Sequence, residues 1–439
     1  MKKFVSILLS LMLVLSMMAF ASAEGPVEIT ITHNWANGAN YEEMEYLIGK
    51  FNEAYEGKIH VTGEYVAGGY ADVLSKFNVS YSVNENPVVS IIDACMTMGE
   101  VQKNTMINLT AYAKEHDPEY DFGQFMPGML LFSTDFATGD VYSVPYGRST
   151  QLMYLNMDLI EQAIGEKKVP ETWDDIEAIC EAWYAKTGKP GYGHSIIGNF
   201  FAWYINTMNK GEYFNRAGTG ICPYVNDGWN IALTTWKEYM DKGWFEAPSV
   251  VSGGSGYWEH FQAGELPIAF GSSGSIIGVM EKAAEVGFDL NLAVLPGGLQ
   301  EDGSIFRRVS SGGSNLMIAN NKTEEEIAAG WEFVKFMTSK ETNIHHSFAT
   351  GYVLNHVGCE DDPYVQEQWA LNPLKKVGYD QMIYVDEPYV SVCMQEYDLE
   401  VVDILKGFVY DEVSVEDTLQ ALIDAAEEIF PEGVVDAAE

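Results

Sequence analysis

The sequence is poor in basic residues: 25 Lys and Arg stand against 64 Asp and Glu, and the formal net charge is -39. A field of this sign repels phosphate backbones and anionic membrane surfaces. Nucleic acid is therefore not expected as a partner. The acidic excess does not identify a ligand, because excess surface charge commonly serves only solubility.

Closely spaced cysteines are also missing. The five cysteines, Cys95, Cys180, Cys222, Cys359 and Cys393, lie far apart and form no CxxC pair. An odd number cannot all pair within one chain, and the spacing matches no metal site. We therefore expect neither a disulfide framework nor a metal or other cofactor. One disulfide or small buried thiols both remain open.

Long hydrophobic runs are absent beyond residue 20, so no later segment reaches the ~20 apolar residues of a spanning helix. Lys2 and Lys3 precede the apolar run 4–20, and Ala-Ser-Ala at 21–23 is typical of a signal-peptide cleavage site. No lipobox cysteine stands near it. We predict an exported protein, periplasmic or extracellular and cell-surface associated, with an uncleaved anchor as the alternative.

Internal repeats and Pro- or Ser-rich linkers are missing as well, while strands and helices alternate. The predicted strands begin with 27–35, 58–66 and 86–94, and the predicted helices between them are 40–57, 70–83 and 98–116. The alternation resumes after residue 150, with a helix at 174–188 and a capping box formed by Thr323 and Glu326. This indicates an α/β protein with an open, mostly parallel sheet, in a chain long enough for two lobes.

Six segments occur in an order that resembles a known family. They are PYGRSTQLMYLNMDLIEQA, VPETWDDIEAICEAW, FQAGELPIAFGSSGSI, SSGGSNLMIANN, WEFVKFMTS and ATGYVLN. The chain resembles extracellular (family 1) solute-binding proteins of carbohydrate ABC importers. Within them the pattern is most similar to glycerol-phosphate- and sugar-binding proteins, through SSGS at 272–275 and GGS at 312–314.

The resemblance implies a two-lobed periplasmic-binding-protein fold, with hinge crossings and a ligand cleft between the lobes. With residues 1–23 predicted as the signal peptide, it implies an N-terminal lobe of 24–145 with 272–313 and a C-terminal lobe of 146–271 with 314–439. The first crossing then carries Tyr146, Arg148 and Ser149, the second lies near residues 268–274, and the third contains Gly312 and Gly313.

Sugar sites combine planar polar groups with aromatic platforms, and both residue types are abundant here. The resemblance puts ligand-contacting tyrosines at Tyr70 and Tyr352, although Tyr70 could instead cover the end of its helix. Asp93 ends a buried strand, where open α/β sheets bind ligands, although it could instead cap the next helix. Trp35 and Trp203 are stacking candidates that could equally belong to the core.

Ser272 and Ser273 open a predicted helix, whose free N–H groups can bind an oxygen-rich ligand or simply be capped by a serine. By the same resemblance, glycerol-phosphate binders place an Arg where this chain has Asp398, which reverses the charge. Arg148 could hold an anion, pair with a carboxylate or contact a sugar.

These features predict a monomeric receptor that captures a neutral sugar, oligosaccharide or polyol for the membrane permease of an ABC importer, rather than an enzyme. A glycerol-phosphate-type binding protein is the alternative. An exported glycoside hydrolase also needs aromatics and carboxylates and stays open, whereas a structural adhesin would be expected to show repeats.

Overall fold

A computed structural model describes residues 25–135, 137–196, 214–215, 222–225, 227–248, 256–309, 311–385, 393–430 and 435–436. The predicted signal peptide and Trp203 lie outside the described residues. Within these ranges, no helix combines the length and the apolar character needed to cross a bilayer.

The strands of the described chain are β1 Val27–His33, β2 Ile59–Tyr65, β3 Val89–Asp93, β4 Val144–Asn156, β5 Tyr192–Gly193, β6 Phe214–Asn215, β7 Cys222–Val225, β8 Phe245–Glu246, β9 Ile268–Ser272, β10 Leu290–Ala293, β11 Gly298–Leu299, β12 Ile305–Phe306, β13 Ser311–Ile318 and β14 Val435–Asp436.

The helices are α1 Gly38–Ala54, α2 Tyr70–Tyr81, α3 Thr97–Lys103, α4 Leu109–His116, α5 Pro127–Leu130, α6 Met157–Ile164, α7 Trp173–Thr187, α8 Asp227–Asp241, α9 Gly256–Gln262, α10 Ile276–Val286, α11 Glu324–Met337, α12 Lys340–Thr350, α13 Pro363–Leu371, α14 Val377–Gln381, α15 Met394–Tyr410 and α16 Val415–Ile429. Short 3-10 helices include Ala94–Met96 after β3 and Ser273–Ser275 after β9.

Within the described residues, nine strands form one continuous sheet, with β2, β1, β3, β13, β4, β9, β5 and β8 in this order and β10 also paired with β4. The groups β2–β1–β3 and β9–β5–β8 are parallel, as their buried sequences predict. The central strands β13, β4 and β9 pair antiparallel, which the sequence did not indicate.

Strand β4 joins the two halves of this sheet. Its first part, Val144–Thr150, pairs with β13, and its second part, Gln151–Leu155, pairs with β9. The segments 268–274 and 311–315, predicted as the second and third crossings, therefore meet the first crossing on a single strand. We call residues 144–150 of β4 and 311–315 of β13 the cleft floor.

Helix ends follow the local sequence closely. Thr323 and Glu326 form the predicted capping box of α11, and Gly188 ends α7 in the left-handed conformation. The segment predicted as one helix, 98–116, is instead two helices. Asn104 has a φ of 53° and ends α3, and Met106 then bridges to Ala319 of the chain that follows β13.

Two large hydrophobic cores flank β4. One covers β1–β3 and includes Trp331, Phe333 and Val334 of α11, while the other holds α7 and α8 together with Tyr397 and Val401 of α15. Residues 314–337 therefore belong with the N-terminal sheet. β13 pairs with β3, and α11 packs on β1. The expected lobe boundaries stay a prediction.

The cysteines described with their surroundings behave as small apolar residues. Cys95, Cys180 and Cys359 are buried thiols. Burial raises the pKa of each thiol, which makes them poor nucleophiles and poor metal ligands.

Candidate functional site

The cleft floor depends on an unusually close approach of β4 and β13. Arg148 lies opposite Gly313, and Ser149 lies opposite Gly312. Gly313 has a φ of +91°, and a Cβ there would stand 2.2 Å from the carbonyl oxygen of Gly147. Only glycine fits this position, and a register shift interrupts the pairing between Gly313 and Asn315.

Four predicted aromatic residues come together at this floor. Trp35 follows β1, Tyr70 begins α2, Tyr146 lies in β4, and Tyr352 follows α12. The Trp35 ring centroid is 6.3 Å from that of Tyr146 and 6.2 Å from that of Tyr352. The Tyr70 and Tyr352 hydroxyl oxygens are 3.2 Å apart. The prediction that these residues, distant in sequence, share one site is consistent with this geometry.

His346 completes this group, and no sequence pattern singled it out. Its ring stacks between Tyr146, at 4.6 Å, and Tyr352, at 5.2 Å between centroids. Burial lowers its pKa to about 3, so the ring is neutral at physiological pH. We call Trp35, Tyr70, Tyr146, His346 and Tyr352 the aromatic cluster.

The hydroxyls of the aromatic cluster also remain protonated. Burial is the main cause that raises the pKa of Tyr70, Tyr146 and Tyr352. The Tyr146 hydroxyl finds no hydrogen-bond partner among the described residues. A neutral phenol both donates and accepts, which suits another hydroxyl group.

Arg148 is a residue of the cleft floor and is fully buried. Its guanidinium donates to Ser311 Oγ at 3.0 Å and to Asn315 Oδ1 at 3.4 Å, and it stacks 4.6 Å from the Phe132 ring. No described residue accepts a hydrogen bond from its Nε. Burial lowers the Arg148 pKa to about 10, opposed by the charge of Asp93. The direct contacts of Arg148 are thus neutral.

Asp93 faces Arg148 at longer range. Its carboxylate accepts a hydrogen bond from the Cys95 N–H at 3.1 Å and so caps the short helix after β3, as the alternative to ligand binding predicted. Burial raises its pKa, against the Cys95 hydrogen bonds and the charge of Arg148. Asp398 of α15 lies nearby, and burial together with Asp93 raises the Asp398 pKa to about 7.

The two candidate serines lie in the same region, and their hydroxyl groups accept hydrogen bonds from the backbone. Ser272 Oγ accepts from the Gly274 N–H at 3.2 Å, and Ser273 Oγ accepts from the Thr150 N–H at 3.3 Å. Gly274 packs against the Tyr352 ring. A Cβ atom added at Gly274 would lie 3.1 Å from Tyr352 Cε1. Ser272 and Ser273 thus border the aromatic cluster, and their contact with a ligand stays a prediction, as it does for Ser149 and Gly312.

The arrangement brings rings, hydroxyls and carboxyl groups into one region of the fold. No group of three or more His, Cys, Asp or Glu side chains suited to a metal ion occurs in the part of the chain that the structure describes. Such a site can orient a hydroxyl-bearing molecule by hydrogen bonds and ring contacts.

Comparisons with known proteins agree with this architecture. The model of the family described as bacterial extracellular solute-binding protein matches residues 47–373. The sn-glycerol-3-phosphate-binding periplasmic protein UgpB of Escherichia coli O1:K1 / APEC is 24% identical over 380 residues, which cover 84% of this chain and 84% of that protein.

Solved structures show the same fold at low identity. UgpB from Mycobacterium tuberculosis in complex with glycerophosphocholine has a TM-score of 0.77 and 20% identity, covering 93% of this chain and 98% of its own. The GacH receptor of Streptomyces glaucescens GLA.O has a TM-score of 0.77 and 17% identity, covering 92% and 98%. The predicted two-lobed binding-protein fold is confirmed. Because the family model spans most of the chain, the protein belongs to the bacterial extracellular solute-binding proteins and is a receptor for a solute, not a glycoside hydrolase.

Proposed function

We propose that this receptor captures a neutral sugar, oligosaccharide or polyol outside the cytoplasm and delivers it to the membrane permease of an ABC importer. The observation that carries the proposal is the aromatic cluster, with Asp93 near Tyr70 and the Arg148 guanidinium donating to the neutral side chains of Ser311 and Asn315. Rings contact the apolar faces of a sugar, and phenols and carboxyl groups bind its hydroxyls.

The charge of the cleft argues against a phosphate. Phosphate is bound best by an arginine fork that is free to donate two parallel hydrogen bonds. Arg148 already donates to Ser311 and Asn315, and the charge of Asp93 acts on Arg148 as well. Asp398 stands where the glycerol-phosphate binders are expected to place an arginine.

A glycerol-phosphate-type ligand is the second candidate, and it rests on the relatives. The UgpB proteins of Escherichia coli and Mycobacterium tuberculosis are named for, or solved with, glycerol phosphate compounds. Other structural neighbours were solved with acarbose or maltose. Both ligand classes therefore occur among proteins that share this fold.

Calorimetry with maltose and with sn-glycerol 3-phosphate, at low and at raised salt, separates the two candidates. We expect heat of binding from the neutral sugar, with little dependence on salt, and none from the phosphate. Tight, salt-sensitive binding of glycerol 3-phosphate that is abolished by Arg148→Ala would reject the neutral-ligand proposal. Arg307→Ala is the matched control. Arg307 is partly buried, and its described hydrogen bonds go to backbone carbonyl groups.

The proposal includes export and a monomeric state. The mature chain is expected to begin at Glu24 after removal of the signal peptide. Mass spectrometry of the secreted protein and its mass in solution, measured by light scattering, test these two points. A mature chain that retains residues 1–23, or a stable dimer, would contradict them.

A further inference from the structure

We propose that Gly147 and Gly274 form a slot that positions the ring of Tyr352, so that these two glycines set the affinity of the receptor without contacting the ligand. Both are positioning residues, because they act through the tyrosine. Neither glycine is among the ligand contacts predicted from the sequence. The inference rests on the proposed function, since it takes Tyr352 as a residue that binds the ligand.

The two glycines of the slot belong to different elements. Gly147 lies in the part of β4 that pairs with β13, and Gly274 lies in the short helix Ser273–Ser275 after β9. A Cβ atom at Gly147 would stand 3.3 Å from Tyr352 Cε2, and a Cβ atom at Gly274 would stand 3.1 Å from Tyr352 Cε1. Cε1 and Cε2 are on opposite edges of the ring. The ring therefore sits between the two glycines, and a side chain at either one would press on it.

The backbone on both sides of Tyr352 is fixed by the same two elements. The Val353 N–H donates to the carbonyl oxygen of Arg148 in β4 at 2.8 Å. Gly351 has a φ of +97°, and a Cβ atom there would stand 2.5 Å from the carbonyl oxygen of Ser273. The backbone therefore cannot follow a displaced ring without breaking these contacts, so the slot alone decides where the ring lies.

The other sides of the Tyr352 ring face the aromatic cluster. His346 stacks on the ring at 5.2 Å between centroids, with an interplanar angle of 12°. The Tyr70 hydroxyl oxygen lies 3.2 Å from that of Tyr352. Hydrogen bonds weaken with small changes in distance and angle. A small displacement of the ring would therefore weaken the bond to Tyr70 and also a bond from Tyr352 to a ligand hydroxyl.

The close approach of the ring, and not the backbone conformation, requires glycine in the slot. Neither Gly147 nor Gly274 has a positive φ, so alanine could adopt both conformations. At Gly147 a Cβ atom would also meet Ser314 Oγ at 2.9 Å, whereas at Gly274 the nearest atom outside the Tyr352 ring is Ser272 Oγ at 3.5 Å. Gly274 is therefore the position at which a substitution acts mainly on the ring.

The first test needs no ligand and compares Gly274→Ala with Gly278→Ala in urea unfolding. Gly278 lies in α10, and a Cβ atom there would meet no heavy atom within 4 Å. Gly278→Ala should raise the folding equilibrium constant about two- to fivefold, because alanine lowers the entropy of the unfolded chain. Gly274→Ala should instead lower the constant about three- to tenfold, because the added methyl group displaces the packed ring.

Combining each glycine variant with Tyr352→Ala decides whether the ring is the cause. In the Tyr352→Ala protein, Gly274→Ala should raise the folding constant about as much as Gly278→Ala does, because the added methyl group then has room. A loss from Gly274→Ala that persists without the ring would overturn the slot. An unchanged or raised constant for Gly274→Ala alone would overturn it as well.

The second test measures affinity by calorimetry with maltose, sucrose and glycerol as neutral probes. Gly274→Ala should weaken binding of the tightest probe about three- to tenfold, the scale of one impaired hydrogen bond, and Gly278→Ala should leave it unaltered. In the Tyr352→Ala protein, Gly274→Ala should have no further effect. Wild-type affinity in Gly274→Ala, or an equal loss with and without the ring, would overturn the positioning role. Failure of all three probes to bind the wild type would reject the proposed function and the effect on affinity, while the urea comparison still decides whether the slot exists.

Discussion

His346 illustrates, at the scale of a single residue, how burial decides the chemistry of the cleft. Its ring is 1% exposed, lies between two tyrosines, and has no described hydrogen-bond partner on either nitrogen. Nothing compensates a charge there, so the imidazole acts as a flat apolar group. Its neighbour His345, in contrast, pairs with Glu43 at 2.8 Å.

The first prediction follows from the His346 pKa of about 3, against an ordinary value of 6.5. The unfolded chain takes up a proton below about pH 6.5 and the folded chain does not, so stability is lost as the pH falls through this range. We expect protonation of His346 in the unfolded chain to lower the unfolding free energy by about 1 kcal/mol between pH 7 and pH 5.5.

His346→Phe keeps a ring in the stack and removes the proton-binding site. It should therefore reduce the loss of unfolding free energy as the pH falls. Urea unfolding at several pH values measures this slope. The exposed His60, changed to Gln, is the control and should leave the slope as in the wild type. An unchanged slope in His346→Phe would show that this histidine does not contribute.

The second prediction concerns ligand contacts at single residues. Tyr70→Ala, Ser149→Ala and Tyr352→Ala should each weaken binding of a neutral sugar by about 1–3 kcal/mol, because each removes a ring or hydroxyl partner in a desolvated cleft. Tyr184→Ala, at a half-exposed tyrosine of α7, should leave the affinity unaltered. Calorimetry measures all four. Wild-type affinity in the three cleft variants would place the site elsewhere.

At the scale of elements, the crossing of β4 and β13 sets the shape of the cleft floor. The two strands approach so closely at Gly313 and Gly147 that no side chain fits between them. The sequence indicated small residues there, but glycine-rich segments also form ordinary turns. That these particular glycines lie in paired strands depends on partners distant in the sequence.

The third prediction compares two adjacent glycines of β13. Gly313→Ala should destabilise the protein by about 1–3 kcal/mol, since its φ of +91° is strained for alanine and its Cβ would meet Gly147 O at 2.2 Å. Gly312→Ala is the matched control, because its Cβ would meet only Ser149 Oγ at 3.7 Å. Thermal unfolding distinguishes them. Equal midpoints would contradict the close approach.

The break between α3 and α4 shows the limit of local patterns at this scale. The apolar spacing of 98–116 suits one helix, yet Asn104 turns the chain and Met106 is fixed by a bridge to Ala319. Contact with the strand end outweighs local helix propensity, which amounts to only tenths of a kcal/mol per residue. Such an override cannot be deduced from the segment itself.

At the scale of the whole molecule, β4 is the only described strand paired with both halves of the sheet, so it is the natural axis for relative motion of the two lobes. The fourth prediction is that purified residues 24–439 become more compact when a neutral sugar binds. Small-angle scattering with saturating maltose, or with whichever neutral probe binds, should show a smaller radius of gyration. An unchanged radius at saturation would argue against closure.

The sequence by itself determined the α/β class, the caps of α7 and α11, the resemblance to solute-binding proteins and most of the residues that meet at the aromatic cluster. These depend on local periodicity, capping chemistry and segment order, which are properties of neighbouring residues. Only the tertiary structure decided that residues 314–337 join the N-terminal sheet, that His346 stacks between two tyrosines, and that α15 packs against the short helix after β3. Each of these depends on contacts between segments far apart in the chain, and their energies come from burial and charge that no local pattern encodes.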